Sequence, residues 1–224
     1  MNTNHKEILR NVEFYKYLSL DEEKIIEQGI RMRDYAKGEQ IHDSSAGGCS
    51  GVLIVVSGKI RAYILSEEGR EVTLYYLESG DTCILSASCV MSCLAFEVHI
   101  EAEENTSVIQ IISSAFAQVL ENNVRVENFA LKLAVDRFSD VMWALQQILF
   151  FSMDKRLAMY IYNEVSKTKS NELIVTHEQI AKSLGSAREV VTRLLQQFHK
   201  QGIVELSRGK ITVLDIQRIS DLCD

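Results

Sequence analysis

Residues 176–198 read Thr-His-Glu-Gln-Ile-Ala-Lys-Ser-Leu-Gly-Ser-Ala-Arg-Glu-Val-Val-Thr-Arg-Leu-Leu-Gln-Gln-Phe. The stretch predicts two short helices joined at a glycine. Thr176 can cap the first helix, with Gln179 in the capping-box position, and Ser186 can cap the second, with Glu189 three residues later. Apolar residues recur at helical spacing on one face of each helix, and the second helix turns polar side chains outward. This pattern is typical of a helix-turn-helix that reads DNA.

A second signal follows the two helices. After Gly202, apolar runs at 203–206 and 211–214 flank a polar turn, which predicts a β-hairpin. A hairpin directly after a recognition helix is a wing, and Arg208 and Lys210 at its tip are suited to phosphate contacts. Two capped amphipathic helices around a glycine also occur in proteins that bind no DNA, so the wing strengthens the interpretation.

Charge is divided unevenly along the chain. Residues 1–150 hold 13 Lys and Arg against 22 Asp and Glu, a net charge of −9, whereas residues 151–224 hold 11 against 9, a net charge of +2. A weakly basic reading domain should depend on specific contacts and dimerisation more than on nonspecific attraction to DNA. Five cysteines, an N-terminus without an apolar signal segment, and the lack of any apolar run near the ~20 residues of a membrane span predict a cytoplasmic protein that does not contact membranes.

Upstream, the sequence predicts two helices followed by a sheet domain. Residues 5–18 and 20–33 show helical periodicity, and Ser19 with Glu22 forms a capping box before the second helix. From Tyr35 onward, short β-rich runs alternate with turns that contain glycine, which is typical of an antiparallel sandwich or barrel. We expect strands within residues 38–41, 52–56, 60–65, 72–77, 95–101 and 107–112.

A helical region with one long helix should follow the sheet, because no Gly or Pro occurs between Ser113 and Gly185. A set of apolar residues in it steps by 4, 3, 4, 3 and 4, which is a heptad seam and predicts a dimer interface. A second apolar stripe on the same helix indicates packing against its own sheet domain, and a helix that packs only there is the alternative. Residues 150–154 read as a hinge, with Asp154 as the cap of the next helix. The seam consists of Leu131, Val135, Phe138, Met142, Leu145 and Leu149.

The predicted architecture is α+β, with a β-roll effector-sensing domain over residues 1–120, a dimerisation helix and hinge over 121–150, and a winged helix-turn-helix over 151–224. In this order of parts the chain resembles the Crp/Fnr family of bacterial transcription regulators along nearly its whole length. The roll would then be a jelly roll like those that bind cyclic nucleotides. The matching residues are Lys37-Gly38-Glu39, Val56-Ser57-Gly58, Glu68-Gly69-Arg70-Glu71, Ser79-Gly80-Asp81 and Arg188-Glu189-Val190-Val191-Thr192-Arg193.

The resemblance implies a homodimer that places two recognition helices in successive major grooves of a near-palindromic double-stranded DNA site, together with RNA polymerase as a partner. Arg188, Glu189 and Arg193 would read base edges, because Arg can bond guanine O6 and N7 and Glu can accept from the cytosine amino group. In the Crp branch this pattern accompanies TGTGA-like half-sites. The candidate phosphate contacts are Thr176, Ser186, Thr192, Arg208 and Lys210.

The predicted effector region departs from the cyclic-nucleotide pattern. Members of the family that bind cyclic nucleotides carry Gly-Glu soon after the Gly-Asp turn and Arg-Ser on a later strand, where the arginine neutralises the phosphate. Here Thr82-Cys83-Ile84-Leu85 follows Gly80-Asp81, and the later position falls on about Glu97. A carboxylate there would repel a phosphate, so we expect an effector other than cAMP.

Sulfur and imidazole occur in that region instead. Cys83, Cys89, Cys93 and His99 could bind haem or a metal ion or act as a thiol redox switch, and with Glu97 they are the candidate effector pocket. Cysteines packed as small apolar side chains are the alternative, and no Cys-x-x-Cys pair occurs. The remaining histidines show no partner spacing and are interpreted as surface or cap residues: His5, His42, His177 and His199.

No nucleophile elbow, phosphate-binding glycine loop or pair of catalytic carboxylates is apparent, so an enzyme is not expected. The predicted function is a sequence-specific, effector-controlled DNA-binding regulator. The rival hypothesis is a roll that binds a metal or responds to thiol redox state and whose winged domain contacts protein instead of DNA. A steep salt dependence of duplex binding would distinguish the two, because it requires several phosphate contacts.

Overall fold

The computed structural model describes residues 8–43, 50–84 and 98–223, which form two compact units. One unit comprises Met1–Ile64 and Leu74–Val141, and the other comprises Leu65–Thr73 and Met142–Asp224. Within the described parts of the chain, no helix is both long and apolar enough to cross a membrane.

The first unit begins with short helical pieces in place of the predicted helix over residues 5–18. Residues 8–11 are helical (α1), and Glu13–Tyr17 form a 3₁₀ helix after an extended Val12. The change of helix type accompanies the burial of two neighbours in the sequence, Phe14 and Tyr15, in one apolar cluster. The Phe14 ring meets that of Phe116 edge to face, with centroids 5.8 Å apart.

The second predicted helix is shorter than its apolar pattern indicated. Helix α2 spans Leu20–Gln28, and Ser19 and Glu22 form the predicted capping box at its start. Gly29 caps its C-terminus, and an added Cβ there would lie 2.6 Å from the Ala115 Cβ. The prediction of helix to Arg33 is wrong, because residues Ile30–Tyr35 form strand β1 and pair antiparallel with a strand near residue 110.

After β1 the strands of the first unit are β2 Gln40–Asp43, β3 Val52–Ser57, β4 Lys59–Leu65, β5 Glu71–Glu78, β6 Thr82–Cys83, β7 His99–Ala102 and β8 Thr106–Ile111. They form two antiparallel four-stranded sheets, in the orders β1-β8-β3-β6 and β2-β7-β4-β5, which make the predicted β-roll. Alternate residues of β3 face two different cores: Val52 and Ile54 pack with the helices, whereas Leu53 and Val55 pack with the second sheet. This double burial explains the nearly continuous apolar runs.

Over residues 113–150 the helical region is interrupted once. Helix α3 spans Ser113–Asn122, and α4 spans Val124–Phe150. Asn123 separates them, and its side-chain oxygen accepts from the backbone N–H groups of Arg125 and Val126 at 3.1 and 3.3 Å. A short polar residue at such a cap starts a new helix, although no glycine or proline marks the site.

The second unit contains α5 Met153–Thr168, β9 Glu172–Leu173, α6 His177–Leu184, α7 Arg188–Lys200, β10 Val204–Ser207, β11 Lys210–Val213 and α8 Ile216–Asp221 around one apolar core. The strand order is β10-β11-β9, so β9 adds a third strand to the predicted two-stranded wing. The N-cap of α5 is Ser152, and the prediction of Asp154 at that position is wrong. Asp154 lies in the first turn instead, where a hydrogen bond with Ser152 lowers the pKa of its carboxyl.

Candidate nucleic-acid interface

The first helix of the helix-turn-helix begins with the predicted cap. The Thr176 hydroxyl accepts from the Gln179 N–H at 3.2 Å, and the Thr176 N–H donates to Gln179 Oε1 at 3.0 Å. The same hydroxyl lies 2.9 Å from Gln179 Oε1 and donates to it. Because both interactions serve the cap, the Thr176 side chain is held close to its own helix.

Gly185 forms the turn in the left-handed region, with φ +56°. The Ser186 N–H donates back to the Ala181 carbonyl at 2.9 Å, which closes a Schellman-type C-cap. Two further carbonyls at this end receive guanidinium groups: Arg70 Nε donates to Gly185 O at 2.9 Å, and Arg156 Nη2 donates to Leu184 O. Cations at a helix C-terminus also oppose the negative end of its dipole. The sequence did not indicate this role of either arginine.

The second helix starts one residue later than the predicted cap requires. Its N-cap is Ala187, which has no side-chain cap hydrogen bond, so the predicted Ser186–Glu189 capping box is wrong. The Schellman bond of the preceding turn holds the Ser186 backbone in the C-cap of α6, and the chain becomes extended at Ala187 before α7 begins. Ser186 therefore belongs to the C-cap of α6 and cannot also be the N-cap of α7.

One face of α7 anchors the helix and the other is open. Its inner side chains are Val191, Leu195 and Phe198, all buried in the core of the second unit. The exposed face carries Arg188, Glu189 and Arg193, while Thr192 is half-buried beside them. The three predicted base-reading residues thus share the open side of the predicted recognition helix.

His177 lies in the cap region of α6 as predicted, and its side chain also contacts the second helix. The half-buried imidazole of His177, the first residue of α6, places Nδ1 2.9 Å from the Thr192 hydroxyl of α7. Burial of the ring, followed by the positive charge of Arg188, lowers the pKa of His177. The contact joins residues fifteen positions apart on two helices, so no local sequence signal could have revealed it.

The predicted wing is present and borders a cleft beside α6. Residues of β10 pair with β11 from Val204↔Val213 to Ser207↔Lys210. Arg208 is exposed at the tip, whereas the Lys210 ammonium lies 2.8 Å from a Glu172 carboxylate oxygen. A cleft of about 420 Å³ separates the wing from the start of α6, and its polar lining includes His177, Glu178, Arg188, Arg208 and Lys210.

The described part of the predicted effector region is mostly packed core. Cys83 is fully buried on β6 among apolar side chains. His99 is buried on β7 and stacks on Tyr63 at 5.3 Å between ring centroids. Cys89, Cys93 and Glu97 lie outside the described residues, as does His5. Among residues 8–43, 50–84 and 98–223, no group of three or more His, Cys, Asp or Glu side chains is arranged to hold a metal ion.

Other polar groups are buried in the roll. The Arg61 guanidinium, 1% exposed, lies 2.9 Å from Glu101 and 3.8 Å from Glu103. His42, predicted to lie at the surface, is buried with its Nδ1 3.0 Å from the Ser50 hydroxyl, so that prediction is wrong. His199 lies at the surface as predicted, with Nδ1 3.0 Å from the Val204 carbonyl oxygen.

The two apolar stripes of α4 differ in their burial. On the inner side Val126 and Ala130 are buried, and Phe129 and Leu133 pack against the helix-facing core of the roll. The predicted seam on the outer side is exposed in the single chain. Its exposed fractions are 52% for Leu131, 63% for Val135, 64% for Phe138, 44% for Met142, 43% for Leu145 and 62% for Leu149.

Similarity to known proteins agrees with this arrangement. Residues 155–222 match the Crp-like helix-turn-helix domain, and residues 32–123 match the cyclic nucleotide-binding domain. The crystal structure of a Crp/Fnr-family transcriptional regulator from Eubacterium rectale is similar with a TM-score of 0.90 at 43% identity, covering 96% of this chain and 99% of that one.

Two characterised regulators are more distant relatives. The chain is 25% identical over 178 residues to the lactate racemization regulatory protein of Lactiplantibacillus plantarum, covering 75% of this chain and 80% of that protein. It is also 25% identical over 195 residues to electron transport regulator A of Shewanella oneidensis, covering 83% of this chain and 75% of that protein. With the predicted resemblance and fold class confirmed, the chain belongs to the Crp/Fnr family of DNA-binding transcription regulators.

Proposed function

We propose that this regulator acts in the cytoplasm as a homodimer on a near-palindromic duplex and that RNA polymerase is a partner there. The observation that carries the proposal is the open face of α7, where Arg188, Glu189 and Arg193 are all exposed. In this assignment they read base edges, with the two arginines suited to guanine and the carboxylate to the cytosine amino group. Arg208 and Lys210 of the wing contact phosphates, and Thr176, Ser186 and Thr192 border the same surface.

The exposed seam of α4 supports the homodimer. Six apolar side chains at heptad spacing, each at least 43% exposed in the single chain, match the a and d positions of a coiled coil. A second copy of the same helix offers the same stripe, and such a two-fold interface is self-complementary. The dimer would present two recognition helices to half-sites one helical turn apart, about 10–10.5 base pairs centre to centre.

Contacts of α4 with the roll support control by an effector. The Arg137 guanidinium lies over the Tyr75 ring of β5, 5.0 Å from its centroid, and Val141 packs against the core between the sheets. Burial raises the pKa of the Tyr75 hydroxyl well above its usual range, so the group is neutral beneath the helix. An effector in the roll that shifted β5 would thereby bias the seam, as a shift between two populated arrangements.

An effector other than cAMP is part of the proposal. The buried arginine of the roll, Arg61, lies next to the carboxylates of Glu101 and Glu103, whose negative charge offsets its attraction for a ligand phosphate. Haem, a metal ion, thiol oxidation at Cys83, Cys89 or Cys93, and a small organic ligand are the open effector classes.

The test starts from a duplex selected by the full-length protein from a random library, and it measures binding by fluorescence anisotropy. Arg193→Ala should lose discrimination for the selected duplex by about 1–3 kcal/mol per half-site, while dimer mass stays unchanged. Arg33→Ala removes the same charge from an exposed residue of β1 and serves as the control.

Selected sequences with two inverted half-sites, and a steep fall of affinity with salt, are the expected results. Specific binding that is unchanged in Arg193→Ala would remove α7 from the reading role. Binding that is weak, independent of sequence and insensitive to salt would favour the rival hypothesis of a winged domain that contacts protein.

A further inference from the structure

The contact between His177 and Thr192 connects the cleft beside the wing to the reading face of α7. The ring of His177 borders the cleft, and its Nδ1 lies 2.9 Å from the Thr192 hydroxyl. Thr192 lies one turn after Arg188 on α7, and residues four apart on a helix are neighbours. The imidazole therefore lies between the cleft and a hydroxyl that stands beside the two exposed arginines of the face.

The charges around His177 favour an anion in the cleft. Burial and then the positive charge of Arg188 on α7 lower the pKa of the ring, and Arg208 and Lys210 of the wing also line the cleft. Glu178 of α6 is the one carboxylate in the described lining, and Glu172 of β9 is paired with Lys210. In the free protein the neutral imidazole is favoured, because a protonated ring would add positive charge to a basic cleft. A bound anion would favour the protonated ring instead.

We propose that a backbone phosphate of the bound duplex occupies this cleft, that His177 takes up a proton when it does, and that the protonated ring sets the direction of the Thr192 hydroxyl. The inference rests on the proposed function of α7 as the recognition helix. His177 is a positioning residue here, since it acts on the bases only through Thr192.

The direction of the hydroxyl follows from hydrogen-bond chemistry. Both nitrogens of an imidazolium are donors, whereas a neutral ring has one donor and one acceptor. When His177 is protonated, Nδ1–H must donate to the Thr192 oxygen. The Thr192 proton then points away from the ring and is free to be donated to an acceptor on the DNA, such as a purine N7 or a phosphate oxygen, in competition with water and the Arg188 carbonyl one turn before. With a neutral ring, the hydroxyl can take either direction and discriminates less.

The sign of the pH dependence follows from linkage. The pKa of His177 lies below its usual value in the free protein, because of burial and Arg188, and an adjacent phosphate raises it in the complex. The added affinity is therefore fully present below the pKa of the free protein and is lost as pH rises through the pKa of the complex. The limiting slope is about one proton, or about tenfold in affinity per pH unit, for each recognition helix engaged.

The experiment measures the dissociation constant of the full-length protein for its selected duplex from pH 5.5 to 8.5 at constant ionic strength. Three variants are compared with wild type. His177→Asn places an amide where Nδ1 lies and does not titrate. His177→Gln places its amide near the Nε2 position and substitutes for it if the first variant fails to fold. His199→Asn is the matched control, because that imidazole bonds the Val204 carbonyl and is exposed.

We expect wild type and His199→Asn to bind more tightly as pH falls, and both His177 variants to show an affinity that does not change with pH. Calorimetry in two buffers of different ionisation enthalpy should count proton uptake in wild type and none in His177→Asn. A wild-type slope that persists in the His177 variants, or specific binding by wild type without any slope, would overturn the inference while leaving the proposed function intact. Failure of the proposed function would appear differently, as unchanged specific binding in Arg193→Ala.

Discussion

Substitution of Phe138 is the most direct test of the proposed dimer interface along α4. The residue is 64% exposed in the single chain. Full burial of a phenylalanine side chain stabilises by about 1.5–3 kcal/mol, so burial of the remaining two-thirds is worth about 1–2 kcal/mol in each protomer. A two-fold dimer contains the residue twice. Phe138→Ala should therefore weaken dimerisation by about 2–4 kcal/mol, which raises the dimer dissociation constant about 30- to 700-fold.

Sedimentation equilibrium over a wide concentration range measures that constant. Leu20→Ala is the control, because Leu20 is 77% exposed at the start of α2 and lies outside the heptad register. Circular dichroism should show both variants folded, since neither side chain contributes much to the core of the single chain. If Phe138→Ala dimerises as tightly as wild type, or if wild type is monomeric at tens of micromolar, the seam of α4 is not the dimer interface.

Two further predictions concern backbone conformation around the helix-turn-helix, and urea unfolding checks both. Gly185→Ala should lower the free energy of unfolding by about 1–2 kcal/mol, because φ is +56° and the new Cβ would lie 3.0 Å from Val72 Cγ2. Lys169→Gly is the control at another residue in the left-handed region, with φ +53°. Its free energy of unfolding should change little, because relief of the strained backbone offsets the greater freedom of the unfolded chain. A Gly185→Ala variant as stable as wild type would contradict the left-handed turn. Ala187→Ser should stabilise by about 1 kcal/mol by capping α7, which has no side-chain cap; an unchanged unfolding midpoint would show that its first N–H groups are already satisfied.

The elements that the sequence predicted well are those whose signals are local. The capping box of Thr176 and Gln179, the left-handed Gly185 and the apolar face of α7 all depend on residues within one or two turns of each other. Most strands of the roll were found for a similar reason, because glycine turns punctuate them. Family resemblance then supplied the order of the parts, which local patterns alone leave open.

The elements that it missed depend on partners far along the chain. Residues 30–33 of β1 were predicted as helix because the strand alternates too briefly, and its pairing partner is the distant β8, where Ile30 lies opposite Ile111. The buried Phe14 of the 3₁₀ segment packs against rings from two later helices, Phe116 of α3 and Phe129 of α4. His177 contacts Thr192 on a different helix. Whether Ser186 belongs to the end of α6 or to the start of α7 depends on the geometry of the turn, which the sequence does not give.

The turn of the helix-turn-helix also has a thermodynamic consequence. Guanidinium groups from Arg70 and Arg156 hold the carbonyls of Gly185 and Leu184 before any DNA is bound. A helix-turn-helix that is already ordered loses little conformational entropy when it binds DNA, so less of the favourable contact energy is offset by ordering the protein. The heat-capacity change of binding should then reflect the surface buried at the interface alone, without the larger negative value that accompanies coupled folding. The geometry of the helix-turn-helix is therefore set by the protein itself and not by the DNA that it binds.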